Sequence, residues 1–186
     1  PAADIKRLKL DAFDRSNDLK PLSVVTGDII AKNAYEWSKA TESPLAQAAV
    51  RGAEKITVRP LLGHSGKAVK LPKGASLSYD FYCDKSGDAR FTIAAIPCFL
   101  NAVKDMRVSV SIDRGEPVIC QLKEVYNSKN WQFDLWRGQT LKSFYVTLPG
   151  GSHNVTIKAL DDNVMIDQWV LDYDVDREYY VFPVAK

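Results

Sequence analysis

The chain has 186 residues, of which 46% are hydrophobic and 26% are charged, and this mixture indicates a globular domain and excludes a wholly disordered chain. Its 25 basic and 23 acidic residues leave a formal charge of +2 and are interspersed, so there is no nucleic-acid footprint. The longest apolar runs fall well short of the roughly 18–20 residues of a membrane helix. We therefore expect neither nucleic acid nor membrane among its partners.

The N-terminal part of the chain combines a charged segment, a strand and a short helix. Residues 1–25 are highly charged and weakly periodic, and we interpret them as a linker or the tail of a preceding domain, with one β-sandwich domain over residues 26–186. Alternation over residues 29–36 predicts a first strand. Farther on, Ser43 as N-cap, the following proline and Gly52 as a stop predict a short helix within a loop.

From Ala75 onward, apolar residues recur at every second position, which is typical of half-buried strands. A final segment, NVMIDQWVLDY, is apolar on both faces, which favours a central strand. These features predict an all-β fold, an antiparallel sandwich or barrel. The alternating segments are SLSYDFYC, DMRVSVSID, PVICQL, SFYVTL and NVTIKAL, and turns rich in Gly, Asp, Asn and Pro separate them.

One of these turns, LPGGSH, contains one of the two histidines. Gly150 and Gly151 can adopt positive φ, so we predict a hairpin that joins the strand at residues 144–148 to the strand at residues 154–160. His153 would lie at the mouth of this hairpin in a structural role.

Catalytic and metal-binding motifs are weak. Gly63-His64-Ser65-Gly66 is not a nucleophile elbow, because a lysine stands at the last glycine position, and a triad of Ser65, His153 and an aspartate would have to assemble in space. Asp161 and Asp162 could join Asp167 around Ca²⁺, but no EF-hand pattern is present. We interpret the first two as turn residues. Asp167 interrupts the apolar last strand and needs a cation or several donors if it is buried.

The three cysteines, Cys83, Cys98 and Cys120, match no metal spacing and allow at most one disulfide. Cys83 and Cys120 fall on the apolar side of alternating segments, where a free thiol packs as a small hydrophobe. We predict buried structural thiols.

Aromatic side chains are the best indication of a ligand. Sugars stack their C–H patches on Trp and Tyr, while their hydroxyls bind nearby polar groups. In NWQFDLWRGQ, strand-like alternation would place Trp136 on an exposed face with Asp134, and Arg137 follows. We therefore predict a carbohydrate platform at Trp136, with Tyr145 and Trp37 as weaker candidates. The alternative is that Trp136 covers a loop or docks another domain.

Five segments together resemble the C-terminal domain of glycoside hydrolase family 115, the xylan α-1,2-glucuronidases. The resemblance implies a galactose-binding-like β-sandwich of jelly-roll type, similar in layout to carbohydrate-binding modules of families 6 and 35. It also implies that the catalytic residues lie in an earlier barrel domain, which this chain is too short to contain. The segments are LLGHSGKAVKLP, LSYDFYCDKSGDARFTIAAIPCF, RVSVSIDRGEP, LPGGSHNVTIKALDDNVMIDQWVLDYD and YYVFP, within residues 28–183.

The chain departs from the related sugar-binding modules in its first strand. Those modules have an Ala-Glu pair there, whose glutamate binds structural Ca²⁺ together with an aspartate near the last strand. Here Ala31 is followed by Lys32, while Asp167 matches the last-strand position. We therefore predict that a Lys32–Asp167 ion pair replaces the metal, and we expect no cofactor, with calcium as the alternative.

The resemblance implies a non-catalytic accessory domain of a secreted or periplasmic xylan α-glucuronidase. The partners it implies are the catalytic domain of the same polypeptide, a second copy of the chain, or a xylan-type polysaccharide. A dedicated carbohydrate-binding module and a small stand-alone carbohydrate-active enzyme are the alternative functions. An exposed apolar patch would favour docking, whereas a groove with Trp136 and polar neighbours would favour sugar.

Overall fold

The computed structural model describes residues 28–99, 104–179 and 182–183. The segment over residues 1–25 that we interpret as a linker or tail lies outside this part of the chain. Within the described part, no helix is long and apolar enough to span a membrane. The elements there are β1 (Ile29–Asn33), β2 (Lys39–Thr41), α1 (Pro44–Gln47), β3 (Thr57–Pro60), β4 (Lys67–Leu71), β5 (Ser76–Cys83), β6 (Gly87–Ala95), β7 (Arg107–Ile112), β8 (Val118–Gln121), α2 (Lys129–Arg137), β9 (Thr140–Leu148), β10 (Gly151–Ala159) and β11 (Val164–Asp172).

The strands form two antiparallel sheets. The first sheet has the order β3-β4-β11-β6-β9, and β1 also pairs with β11, while the second has the order β2-β5-β10-β7-β8. The predicted antiparallel β-sandwich is confirmed. Because the side-chain period of a strand is two, the alternation seen in the sequence is enough to decide which face of each strand meets the opposite sheet.

Trp169 of β11 occupies the middle of the core between the sheets and is fully buried. Its ring centroid lies 5.6 Å from that of Tyr79, 5.5 Å from that of Phe81 and 5.3 Å from that of Phe91. Burying each ring of this kind stabilises a fold by roughly 1.5–3 kcal/mol. A slip of one residue in β5 would turn Tyr79 and Phe81 to solvent, so these contacts fix its register.

Strand β11 is central, as its two apolar faces predict. It pairs with β6 on one side and with β4 and β1 on the other. The register with β6 shifts between Ile166 and Gln168, so Asp167 lies at a β-bulge. A bulge frees one residue from the ladder and re-aims its side chain.

The predicted helix in the N-terminal loop is confirmed as a single turn, α1. The Ser43 side chain caps it by accepting a hydrogen bond from the Ala46 N–H at 3.3 Å. The predicted stop at Gly52 was wrong, because the helix ends at Gln47 and Ala49 already adopts a positive φ of 52°.

The LPGGSH segment is not a hairpin, and that prediction was wrong. Strand β9 pairs with β6 in the first sheet, whereas β10 pairs with β5 and β7 in the second. The turn therefore carries the chain from one sheet to the other. A short glycine-rich turn serves either connection, and only the pairing partners of the two strands decide between them.

The C-terminal segment covers part of the outer face of the first sheet. Phe182 is 2% exposed and packs with Ala94 and Val170, and Leu141 and Tyr179 flank this cluster. The sandwich thus has one outer face that the chain itself partly covers.

Candidate functional site

Residues 129–137 form an α-helix, α2, and not the alternating strand that we predicted. Ser128 caps its start by accepting a hydrogen bond from the Trp131 N–H at 3.1 Å, and Gly138 ends it at φ 72°. A serine and a glycine at these positions are the usual signals of helix ends, and they were present in the sequence.

The outward side of α2 carries three exposed apolar side chains, Phe133, Leu135 and Trp136, which we call the α2 apolar face. Their exposed fractions are 52%, 50% and 75%. Phe133 and Trp136 form an edge-to-face ring pair with centroids 5.8 Å apart. Trp136 is exposed, as predicted, and its ring contact is with Phe133.

Strand alternation predicts Asp134 on the exposed face with Trp136, whereas in the helix Asp134 lies on the buried side, away from Trp136. It is 6% exposed and accepts a hydrogen bond from the Thr140 hydroxyl at 2.6 Å. Burial raises the pKa of Asp134, and the Thr140 hydrogen bond offsets part of that rise. Asp134 thus anchors the helix to β9, so it does not accompany Trp136. Arg137 is half-buried in the last turn, where a cation suits the helix dipole.

Next to α2 lies a groove of about 310 Å³ whose walls are Phe99, Tyr126 and Trp131; we call it the aromatic groove. The Trp131 ring meets those of Phe99 and Tyr126 edge-on, with centroids 5.5 Å and 5.2 Å apart. Strand alternation would place Trp131 with Phe133 and Leu135 on an apolar core face. The helical period would have indicated a flank position instead.

The polar rim of the aromatic groove is mostly occupied by internal contacts. The Gln121 amide oxygen accepts from the Met106 N–H at 3.0 Å, and its nitrogen donates to Asp105 at 2.9 Å. The Glu124 carboxylate pairs with the Lys142 ammonium. Lys104 adds a positive charge to the rim.

The weaker carbohydrate candidates lie on other elements. Tyr145 is 70% exposed on β9, opposite Arg90 in the register with β6. Trp37 follows β1, is half-buried and packs against the core. Among the described residues, no ring contact joins Trp37, Tyr145 and Trp136, so the structure does not bring the three together.

Asp167 is fully buried and satisfied by neutral donors. Its carboxylate accepts from the N–H groups of His64 at 2.7 Å and Ser65 at 3.2 Å, from the Ser65 hydroxyl at 2.5 Å and from the Gln139 amide at 2.7 Å. The predicted Lys32–Asp167 pair was wrong, since no ion pair joins these residues in the described chain. Lys32 lies opposite Trp169 in the register of β1 with β11.

These contacts also test whether calcium fits at Asp167. Each oxygen of the Asp167 carboxylate already accepts two hydrogen bonds. In the first strand, Lys32 stands where the related modules have the glutamate that binds calcium. Calcium needs six to eight oxygen ligands. In the described residues, no group of three or more His, Cys, Asp or Glu side chains could hold a metal ion. The residues present do not fit this cation.

His153 is 7% exposed on β10. Its Nδ1 lies 2.5 Å from Asp113 Oδ2, and its Nε2 lies 2.8 Å from the carbonyl oxygen of Pro149 in the turn between the sheets. Burial acts to lower the pKa of His153, but the hydrogen bonds to Asp113 and Pro149 together raise it above the ordinary value. Ser65 bonds to Asp167 instead, so the described residues form no Ser65–His153 dyad, and the contacts of His153 agree with a structural role.

The two sheets and their order define the class of this protein, a β-sandwich of the type found in carbohydrate-binding modules. The C-terminal family 6 module of LamC, a laminarinase from Zobellia galactanivorans, matches with a TM-score of 0.53 and 16% identity over 78% of this chain and 99% of that one. A family 35 carbohydrate-binding module from Clostridium thermocellum matches with a TM-score of 0.53 and 14% identity over 77% of this chain and 98% of that one. At these identities the likeness concerns the fold alone.

The chain belongs to the glycosyl hydrolase family 115 C-terminal domain family, whose model matches residues 27–185. A solved family GH115 4-O-methyl-α-glucuronidase, BtGH115A, which has specificity for decorated arabinogalactans, matches with a TM-score of 0.65 and 26% identity over 77% of this chain. The match spans 17% of the length of that enzyme. No curated protein matches the chain. The family resemblance seen in the sequence is confirmed.

Proposed function

We propose that this chain is the non-catalytic accessory domain of a secreted or periplasmic family 115 glycosidase that acts on xylan or a related glucuronic-acid-decorated polysaccharide. The α2 apolar face docks the domain against the rest of the same polypeptide. The length relationship supports this occupant, since the region matched in BtGH115A is only 17% of that enzyme. Most of such a polypeptide lies outside this domain and is available to cover the helix.

The observation that carries the proposal is the exposure of Trp136 (75%) and Phe133 (52%) on a helix whose other side is already packed. Tryptophan is enriched at the centres of protein interfaces. Burying such a ring stabilises an interface by roughly 1.5–3 kcal/mol, whereas an exposed ring contributes no such stabilisation to the isolated domain.

The pKa shifts of three aspartates support a non-catalytic role. A general acid for glycoside hydrolysis needs a raised pKa. Hydrogen bonds from Asn154 and Ser38 lower the pKa of Asp80. Burial acts to raise the pKa of Asp113, but hydrogen bonds from His153 and Asn154 bring it below its ordinary value. Asp134 has a raised pKa but is buried against Thr140.

Hydroxyl-radical footprinting of Trp136 tests the docking. We expect strong labelling of Trp136 in this chain alone and at least fivefold weaker labelling in the full-length enzyme. Tyr145, 70% exposed on β9, serves as the control ring. Equal labelling of Trp136 in both forms would contradict docking. Protection that grows with the concentration of the isolated chain would assign the face to a second copy and would also contradict it.

A second test separates an accessory domain from a stand-alone enzyme. We expect the isolated chain to release no 4-O-methylglucuronic acid from glucuronoxylan, while the full-length enzyme does so. Turnover by the isolated chain would refute the non-catalytic role.

Carbohydrate binding in the aromatic groove is the second candidate function. Phe99, Tyr126 and Trp131 provide rings for stacking, and Lys104 provides a cation for a uronate carboxylate. Titration calorimetry with 4-O-methylglucuronic-acid-decorated xylooligosaccharides tests it. We expect Tyr126→Ala to weaken binding at least tenfold and Trp136→Ala, on the neighbouring helix face, to leave it unchanged. The reverse pattern would move the sugar to Trp136.

A further inference from the structure

A second depression, of about 540 Å³, opens on the outer surface of the second sheet. Outward side chains of β5 and β10 line it, because Tyr79 and Val155 of these strands point inward and are fully buried. Phe81 and His153, each 7% exposed, also contribute to its lining. We call it the Tyr82 face. Its other lining side chains are Asp80, Tyr82, Ser152, Asn154 and Asp113.

The register of the two strands places four of these side chains as a square. Tyr82 pairs with Ser152, and Asp80 pairs with Asn154. Positions two apart along a strand are roughly 7 Å apart, and neighbouring strands are roughly 5 Å apart. The square therefore sets one aromatic ring beside a group of hydrogen-bonding side chains within the reach of one sugar ring.

The polar side of this square is held in place. The Asn154 amide donates to the Asp80 carboxylate at 2.7 Å, and the Asn154 backbone N–H donates to Asp113 at 2.9 Å. The other Asp113 oxygen faces His153 Nδ1 at 2.5 Å. A carboxylate has about four acceptor positions, so Asp80 and Asp113 both keep capacity for a ligand hydroxyl. Acceptors that are already ordered lose little conformational entropy when they bind.

The aromatic side of this square, the Tyr82 ring, is exposed to solvent. Tyr82 is 62% exposed on β5. A tyrosine ring with a free face beside fixed carboxylates and an amide matches the two surfaces of a sugar, since C–H groups stack on the ring and hydroxyls donate to the carboxylates.

The charge of the face selects among sugars. Among the residues that the structure describes, no Lys or Arg lines the depression, and its two carboxylates face one imidazole, which Asp113 already pairs. A uronate carboxylate would meet like charge here. The rim of the aromatic groove differs, because Lys104 lines it.

We propose that the Tyr82 face binds a neutral, hydroxyl-rich saccharide, with one sugar ring stacked on Tyr82 and neighbouring hydroxyls donating to Asp80 and Asp113. This site is separate from the α2 apolar face, so its failure would leave the docking proposal intact.

Titration calorimetry of this chain, which has a core of its own, tests the site with β-1,4-xylohexaose and with the same oligosaccharide carrying 4-O-methylglucuronic acid. We expect Tyr82→Ala to weaken binding of xylohexaose at least tenfold. Asp80→Asn keeps the shape of the side chain but removes its charge, and we expect at least a fivefold loss. Tyr145→Ala, at an exposed position on the first sheet, is the matched control and should bind like the parent chain.

The decorated oligosaccharide should bind the Tyr82 face no more tightly than the plain one, so its binding by the Tyr126→Ala variant should equal that of xylohexaose or fall below it. Thermal unfolding of each variant shows that it is folded. Binding of xylohexaose that survives Tyr82→Ala would overturn the proposal. So would the absence of binding to xylohexaose, cellohexaose and β-1,4-galactohexaose up to roughly 10 mM, since single-site affinities weaker than this are negligible.

Discussion

The backbone N–H of His64 donates a hydrogen bond of 2.7 Å to the carboxylate of Asp167, which lies 103 residues farther along the chain. This contact ties the turn before β4 to the bulge of the central strand. With the Ser65 N–H and hydroxyl and the Gln139 amide, it replaces the cation that a buried carboxylate would otherwise need. The turn at His64 and Ser65 thus supplies three of the hydrogen bonds that satisfy the Asp167 carboxylate.

Asp167→Asn should destabilise the domain by about 2–4 kcal/mol, because an amide NH₂ would face donors and leave at least one of them without an acceptor. The measurement is urea unfolding of the variant and the parent chain. Asp84→Asn, at an exposed position, is the control and should stay within about 0.5 kcal/mol. A loss below about 1 kcal/mol for Asp167→Asn would show that the four donors are not coupled to folding.

Calcium should leave the melting temperature of the chain unchanged, because the oxygens of Asp167 are already occupied. Differential scanning calorimetry in calcium and in a chelator makes the comparison. Lys32→Ala should likewise change stability little, since Lys32 is not paired with Asp167. A rise of several degrees on adding calcium would contradict this account of the site.

Gly63→Ala should be much more destabilising than Gly66→Ala. Both glycines adopt positive φ, 78° and 76°, so both variants carry the same backbone strain. A Cβ at Gly63 would lie 2.3 Å from Asp167 Oδ1, whereas a Cβ at Gly66 meets nothing within 4 Å. We expect an extra cost of about 1–3 kcal/mol at Gly63, measured by urea unfolding. Equal losses for the two variants would mean that the turn moves freely away from Asp167.

The His153–Asp113 pair should make stability depend on pH. The pKa of His153 is raised from 6.5, so its contribution is complete below 6.5 and is lost as pH rises through the higher folded-state pKa. The pKa of Asp113 is lowered from 3.8, so its contribution is present above 3.8 and is lost as pH falls through the lower folded-state pKa. The pair therefore stabilises most between these two limits.

Urea midpoints between pH 4 and pH 9, measured for the parent chain and for Asp113→Asn, check this dependence. We expect the parent chain to lose stability on the alkaline side, above the ordinary histidine pKa, and the variant to show a flatter profile there. The effect should be modest and salt-sensitive, because the Asp113 side chain is 46% exposed. Parallel profiles would assign the pH dependence to other groups.

The thiols should differ in reactivity. Cys83 and Cys120 are buried, and burial raises the pKa of both, whereas Cys98 is half-buried beside the aromatic groove. The thiolate is the reactive form. We therefore expect a thiol reagent to label Cys98 first in the native chain and the other two only after unfolding, as counted by mass spectrometry. Early labelling of Cys83 would indicate that the edge of the core opens readily.

Much of the fold could be predicted because several strands of the core repeat their apolar residues with a period of two. Strand β5 has the predicted bounds, Ser76–Cys83, and β11 is central, as two apolar faces imply. The prediction for the α2 segment failed because nine residues with four apolar positions fit a strand and a helix almost equally well. There the caps, Ser128 and Gly138, carried the decisive information.

The candidate sites were harder to predict, because they depend on which side chains meet across elements. Strand alternation predicted that Trp136 is exposed, and this was correct only because the helix also happens to place Trp136 on its exposed side. Trp131 joins Phe99 and Tyr126 through the folding of two loops onto α2, and no spacing in the sequence encodes that meeting. The Tyr82 face depends on the register of β5 with β10.

By itself, the sequence determined that this chain is an antiparallel all-β domain, because alternation and turn chemistry are local and repeat along the chain. The resemblance of five segments to the family 115 C-terminal domain added the sandwich type. Only the tertiary structure decided that Asp167 binds a distant turn instead of Lys32 and that the LPGG turn crosses between sheets. The physical reason is common to both. A carboxylate and a turn each accept several partners of similar free energy, and the packing of the two sheets selects one of them.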